Sequence, residues 1–137
     1  SITNPIGQVY IPKLFYPVTF ENLTNDGKLS EGTVLKWNTD SNNLNGIVIT
    51  IEYYPSTQSD SLNRINYPEP IKRSTKTEDK GEFIFSESDF IDFPNNADLS
   101  FYIAREGFTT FKDDSENNCS YSALVNTVAG FTISITD

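Results

Sequence analysis

WNTDSNNLNGIVITIEYY, residues 37–54, decides the fold, because it joins a lone tryptophan to alternating apolar residues through an Asn- and Asp-rich segment. In its second half, Ile47, Ile49, Ile51 and Tyr53 occupy every second position, and the residues between them form the opposite face. A period of two places these four side chains together on one face of a β-strand. The stretch therefore predicts a half-buried strand whose odd-numbered face turns toward a core.

The same alternation recurs in other short runs along the chain. The further inward faces it predicts are Leu35 with Trp37, Phe83 with Phe85, Leu99 with Phe101 and Ile103, and Phe131 with Ile133 and Ile135. Further strands are predicted near residues 14–20, 71–75 and 121–127, with turns at residues 25–27, 79–81 and 94–98. The pattern predicts an all-β fold for residues 1–137, a single-domain antiparallel sandwich or barrel of about seven strands.

Helices are disfavoured because seven Pro and seven Gly interrupt every window long enough to hold an amphipathic helix. The best candidate is a single turn within residues 86–93, which Ser88 would cap and Pro94 would end. The Ser-, Asn- and Pro-rich residues 55–70 are expected to form an irregular surface loop.

The Asn- and Asp-rich segment of the opening stretch has two interpretations. As a turn, it is a hairpin connection ending in the turn-prone pair Asn45-Gly46, and Asp40 and Asn42 should then be replaceable by Ser at little cost. As a calcium loop, Asn38, Asp40 and Asn42 have the spacing of the first EF-hand ligands, but the required Gly and Glu are missing further on. We therefore favour the turn. A second calcium candidate is the acidic loop of Asp113, Asp114 and Glu116.

Charge limits the partners. The net charge of −9 disfavours nucleic acid and anionic lipid surfaces, which would repel the protein. The basic cluster of Lys72, Arg73 and Lys76 is followed by two acidic residues, so we interpret it as a solvated loop. No apolar run is long enough to predict a membrane-spanning segment.

The residue inventory argues against an enzyme. Because the chain has no His, a Ser–His–Asp or Cys–His nucleophile and a His-ligated metal are excluded. The single cysteine, Cys119, has no mate for an internal disulfide and is expected to be buried and unreactive. No cofactor motif is present. The sequence therefore predicts no catalytic residue, no metal site and no cofactor.

Three stretches carry a resemblance to a known family: residues 37–54, KGEFIFSESDFIDFPNNADLSFYIAREGF (residues 80–108) and YSALVNTVAGFTISI (residues 121–135). Together they resemble the immunoglobulin-like β-sandwich modules of Bacteroidetes cell-envelope lipoproteins. The resemblance implies a non-enzymatic structural or protein-interaction domain, on the periplasmic or outer side of the envelope. Its anchoring lipidated cysteine would precede Ser1, and its partner would be another envelope protein.

A carbohydrate-binding module is the alternative function. In such a module, exposed aromatic rings stack on sugars while polar side chains bond the hydroxyl groups. Tyr54 is the best candidate, because an inward Tyr53 requires Tyr54 to point outward. Tyr67 and Tyr16 are the further candidates, and Trp37 is expected in the core instead.

Overall fold

The computed structural model describes residues 12–112 and 120–134, with the backbone alone described from residue 106 onward. The described strands are β1 (Val18–Glu21), β2 (Val34–Trp37), β3 (Ile47–Tyr53), β4 (Ile71–Thr77), β5 (Glu82–Ile84), β6 (Asp98–Lys112) and β7 (Ser120–Ser134). They form two antiparallel sheets, one ordered β1-β2-β5 and the other β4-β3-β6-β7. The predicted all-β class is confirmed. The described helical segments are short: α1 (Ser61–Asn66) and two 3₁₀ turns, Pro55–Thr57 and Glu87–Asp89.

The core lies where the alternation predicts it. The odd-numbered face of β3 is buried, and so are Leu99, Phe101 and Ile103 of β6 and Leu35 and Trp37 of β2. The Phe101 ring contacts Phe20 of β1 and Phe85 after β5 edge-on, with centroids 5.9 and 5.8 Å apart. Since Phe101 belongs to one sheet and Phe20 to the other, these contacts join the two sheets. The predicted face of Phe131, Ile133 and Ile135 lies outside the described side chains.

The prediction that residues 38–46 form a hairpin connection after Trp37 is wrong. β2 and β3 belong to different sheets, so residues 38–46 cross from one sheet to the other. Alternation cannot distinguish the two cases, because both a hairpin and a crossing connection leave the apolar faces of the flanking strands turned inward. Gly46 enters β3 at φ +76°, and a Cβ there would lie 2.4 Å from the Thr77 carbonyl oxygen.

Three smaller predictions need correction. The 55–70 segment contains the helix α1, whose N-terminus is capped by Asp60 Oδ1 accepting from the Leu62 amide at 2.9 Å. The turn at Glu87–Asp89 is capped by Ser86 rather than Ser88, and the Ser86 amide donates to Asp89 Oδ2. The basic cluster is not in a loop but in β4, where Arg73 bonds Asp92 at 2.8 Å.

Of the three further strands predicted from the sequence, those near residues 71–75 and 121–127 are present as β4 and β7. The one near residues 14–20 begins only at Val18, because the preceding segment is held by side chains and not by a neighbouring strand. Gly27 and Gly81 adopt φ +74° and +92°, as the turns predicted at residues 25–27 and 79–81 require.

Candidate functional site

The three tyrosines predicted for ligand binding are spread over the molecule. Tyr54 follows β3 on its outer side and is 40% exposed, while Tyr53 is fully buried. Tyr16 lies near the start of β3, at the opposite end of that strand from Tyr54. Its amide donates to Asn38 Oδ1 at 2.8 Å, and Asn38 directly follows β2 in the connection that leads to β3. The backbone of Tyr67 lies on the inner side of β3, where its carbonyl accepts from the Tyr53 hydroxyl at 3.0 Å. Since the length of β3 is roughly 20 Å, Tyr16 and Tyr54 cannot serve one small ligand.

A different tyrosine accompanies Tyr54. Tyr102 of β6 is 38% exposed on the outer face of the same sheet and lies opposite Thr50 in the register. The Tyr54 hydroxyl donates to Glu52 Oε2. This hydrogen bond, with smaller contributions from burial, from the Glu52 charge and from Tyr102, raises the pKa of Tyr54 above its usual value. Tyr102 was missed from the sequence, although its even position in β6 puts it on the outward face.

The Asn- and Asp-rich connection forms an internally bonded turn. Asp40 is only 4% exposed, and its two carboxylate oxygens accept from the amides of Asn42 at 3.1 Å and Lys13 at 2.9 Å. Asn38 bonds the Tyr16 amide and the Leu14 carbonyl. Asp40 is thus built into the fold, and the expectation that it is replaceable is not supported by these contacts.

Calcium ligation gains no support from these contacts. Within residues 12–112 and 120–134, no three acidic or sulfur- or imidazole-bearing side chains gather to hold a metal ion. The acidic loop of Asp113, Asp114 and Glu116 lies outside the described residues, as does Cys119.

The structure contains a polar arrangement that the sequence did not predict, built around a buried ion pair between Arg105 and Asp79. We call Arg105, Asp79, Trp37 and Asn43 the Arg105 clamp. Arg105 Nε lies 2.6 Å from Asp79 Oδ2, and the two side chains are 0% and 2% exposed. The remaining acceptor sites of Asp79 are filled by Arg105 Nη2 at 3.1 Å, Trp37 Nε1 at 2.8 Å and Asn43 Nδ2 at 2.9 Å. Four donors therefore meet the roughly four lone-pair sites that a carboxylate offers.

The guanidinium also holds two backbone segments. Arg105 Nη1 donates to the Lys13 carbonyl at 2.9 Å, and Nη2 donates to the Asn38 carbonyl. The Phe15 ring covers the guanidinium, with its centroid 4.2 Å from Cζ. Through these contacts Arg105 joins β6 to the segment before β1 and to the end of β2. Phe15 and Lys13 are thereby attached to the two sheets.

The electrostatics of the clamp favour an ionised Asp79. Burial raises the pKa of Asp79, but hydrogen bonds from Arg105, Asn43 and Trp37 together with the Arg105 charge outweigh it, so the pKa is lowered. A carboxylate that is ionised, saturated with donors and shielded from water cannot accept a substrate proton without breaking the clamp.

Beside the clamp, residues 43–46 and 76–80 line an open groove of about 650 Å³. Its exposed charged residues are of both signs: Lys76, Lys80 and Glu78. The Asp79 carboxylate is already committed to the clamp, and Asn43 bonds Gly46 as well as Asp79. The two buried polar side chains that line the groove, Asn43 and Asp79, are therefore already bonded within the protein.

Comparisons with known proteins found no matching family model, no matching curated protein and no matching solved structure. In the described part of the chain, no helix is long and apolar enough to cross a membrane.

Proposed function

We propose that the protein is an immunoglobulin-like β-sandwich module with a non-catalytic structural or protein-interaction role in a cell-envelope protein. The strand order supports the fold. In immunoglobulin domains of the constant type, strands A, B and E share one sheet and strands C, F and G share the other. The chain follows this division if β1, β2 and β5 are A, B and E, and β3, β6 and β7 are C, F and G. β4 then pairs with β3 instead of β5.

The single observation that carries the non-catalytic role is the use of the buried carboxylates. Asp79 is saturated by the other three side chains of the Arg105 clamp, and both oxygens of Asp40 accept backbone amides. An acid or base in catalysis needs a free lone pair or proton within reach of the substrate. These two groups instead hold connections between strands, as expected of a scaffold.

The envelope location rests on the family resemblance of residues 37–54, 80–108 and 121–135. The lipid anchor and the envelope partner belong to the same proposal. The net charge of −9 is compatible with a protein that has no polyanionic partner.

Fractionation of the source cells tests the location. An antibody raised against the purified domain should detect the parent protein in the membrane and envelope fractions. Detection in the cytosolic fraction, with protection from protease even in cells whose outer layers are opened, would contradict the envelope assignment.

A second candidate function is carbohydrate binding, and one observation favours it. Tyr54 and Tyr102 are both partly exposed on the outer face of the four-stranded sheet, where Tyr54 bonds Glu52 and Tyr102 pairs with Thr50, two residues before Glu52. Two partly exposed rings on one face offer aromatic surface on which a sugar could stack, with polar side chains beside it.

A further inference from the structure

We propose that the outer face around Tyr54 and Tyr102 binds a neutral carbohydrate, with the two rings as its stacking platform. The proposal rests on the second candidate function given above, and it narrows the ligand to neutral sugars and defines the residues of the site. We call Glu52, Tyr54 and Tyr102, with Thr50 and Ser100 beside them, the tyrosine face.

The register of the sheet builds this face. Glu52 of β3 lies between Lys72 of β4 and Ser100 of β6, and in the next row Thr50 lies between Ser74 and Tyr102. Tyr102 is therefore diagonal to Glu52, while Tyr54 reaches back along its own strand to bond the same carboxylate. The two rings thus flank one acidic side chain.

Hydrogen bonds fix the groups around the rings before any ligand arrives. The Tyr54 hydroxyl is held by Glu52, whose other carboxylate oxygen, Oε1, lies 3.9 Å from Lys72 Nζ. The hydroxyls of Thr50 and Ser74 bond each other at 3.0 Å. A ring that is already oriented loses less rotamer freedom on binding, so more of the stacking energy remains as affinity.

The neighbouring strand leaves room beside one ring. The residue of β7 paired with Tyr102 is Gly130, which carries no side chain. A flat ligand lying on the Tyr102 ring could therefore extend over β7 without meeting a side chain at that position.

The chemistry of the face favours a sugar over the other classes of partner. A protein interface has a core depleted of charged residues, whereas Glu52 belongs to this face and Lys72 lies beside it. Nucleic acids and acidic polysaccharides are opposed by the net charge of −9. Neutral sugars offer an apolar face for the rings and hydroxyl groups for Glu52, Lys72, Thr50 and Ser100.

The test is binding of the purified chain to an array of neutral hexose and N-acetylhexosamine oligosaccharides, with uronic-acid oligosaccharides on the same array. At least one neutral oligosaccharide should bind, and Tyr102→Ala and Tyr54→Ala should each weaken that binding about tenfold, the loss of roughly one stacked ring. Tyr54→Phe keeps the ring but releases Glu52, so a smaller loss is expected. Tyr16→Ala and Tyr67→Ala remove exposed tyrosine rings elsewhere and should leave binding unchanged. Unfolding curves for each variant show whether it is folded.

Three outcomes would overturn the proposal. They are binding of no neutral oligosaccharide at millimolar concentration, binding confined to the uronic acids, and unchanged binding in the folded Tyr54→Ala and Tyr102→Ala variants. If the parent protein is nonetheless found in the envelope, only the carbohydrate site fails, whereas a cytosolic parent contradicts the envelope role independently of the array.

Discussion

Replacing Asp79 with Asn should destabilise the protein more than any exposed charge substitution. Asn has nearly the shape of Asp, but it carries no charge, and its amide group would face donors where the carboxylate accepted them. Arg105, with no exposed surface, would lose its counter-ion. Breaking a buried pair from one side typically costs about 3–5 kcal/mol, because a charge is left uncompensated. The carbonyls of Lys13 and Asn38 and the Phe15 ring still contact the guanidinium, so we expect about 3 kcal/mol.

The assay is urea unfolding followed by tryptophan fluorescence. Trp37 is the sole tryptophan and bonds Asp79 directly, so its emission reports on the clamp and on the core together. Arg73→Ala is the control: it removes a solvent-exposed ion pair with Asp92 and should cost less than about 1 kcal/mol. An Asp79→Asn variant within about 1 kcal/mol of the parent would refute the reasoning, because a domain of ordinary stability, about 5–15 kcal/mol, would show a 3 kcal/mol loss plainly.

Three further predictions concern pH, the crossing connection and a glycine. In the folded protein, the pKa of Asp79 lies below its ordinary value of 3.8. The contribution of Asp79 to stability is therefore fully present above pH 3.8, and it is lost as the pH falls through the pKa of the folded state. Urea midpoints of the parent should therefore fall below about pH 4 more than those of Asp79→Asn, and parallel curves would contradict this. Asp40→Ser should cost about 1–3 kcal/mol, since it shortens a buried acceptor of two amides, whereas Asn42→Ser should stay within about 0.5 kcal/mol; equal midpoints would restore the replaceable-turn interpretation. Gly46→Ala should destabilise the fold well beyond Gly27→Ala in thermal melts, because both have positive φ but only at Gly46 does the added Cβ meet a backbone oxygen, at 2.4 Å. Similar melting temperatures for the two glycine variants would count against the close approach.

The alternation in β3 and β6 made the core predictable. Every second residue from Ile47 to Tyr53 is buried because a strand has a period of two and one face is covered. Which strands pair with each other could not be read from the sequence. The alternation of β2 and β3 is the same whether the two strands share a sheet or face each other across the core. That is why residues 38–46 were predicted as a hairpin.

The Arg105 clamp was missed because neither of its charged residues looks buried in the sequence. Asp79 lies in a turn-like Asp-Lys-Gly sequence, and Arg105 follows the apolar alternation of residues 99–103, where the sequence can be taken to leave the core. The two residues are 26 positions apart and meet only because β4 and β5 belong to different sheets, which places their connection beside β6. One signal was available: Arg105 continues the odd-numbered, inward face of Leu99, Phe101 and Ile103, where a charge requires a partner.

In the proposed function, the buried ion pair of Arg105 and Asp79 holds the fold and takes no part in chemistry. Titration of the Asp79 carboxyl carbon by NMR in the folded protein tests it most directly. Saturation by Arg105, Trp37 and Asn43 predicts a pKa below the ordinary 3.8 of an aspartate. A pKa above that value would show that burial outweighs the hydrogen bonds, and would mark Asp79 as a protonatable group of the kind that active sites use.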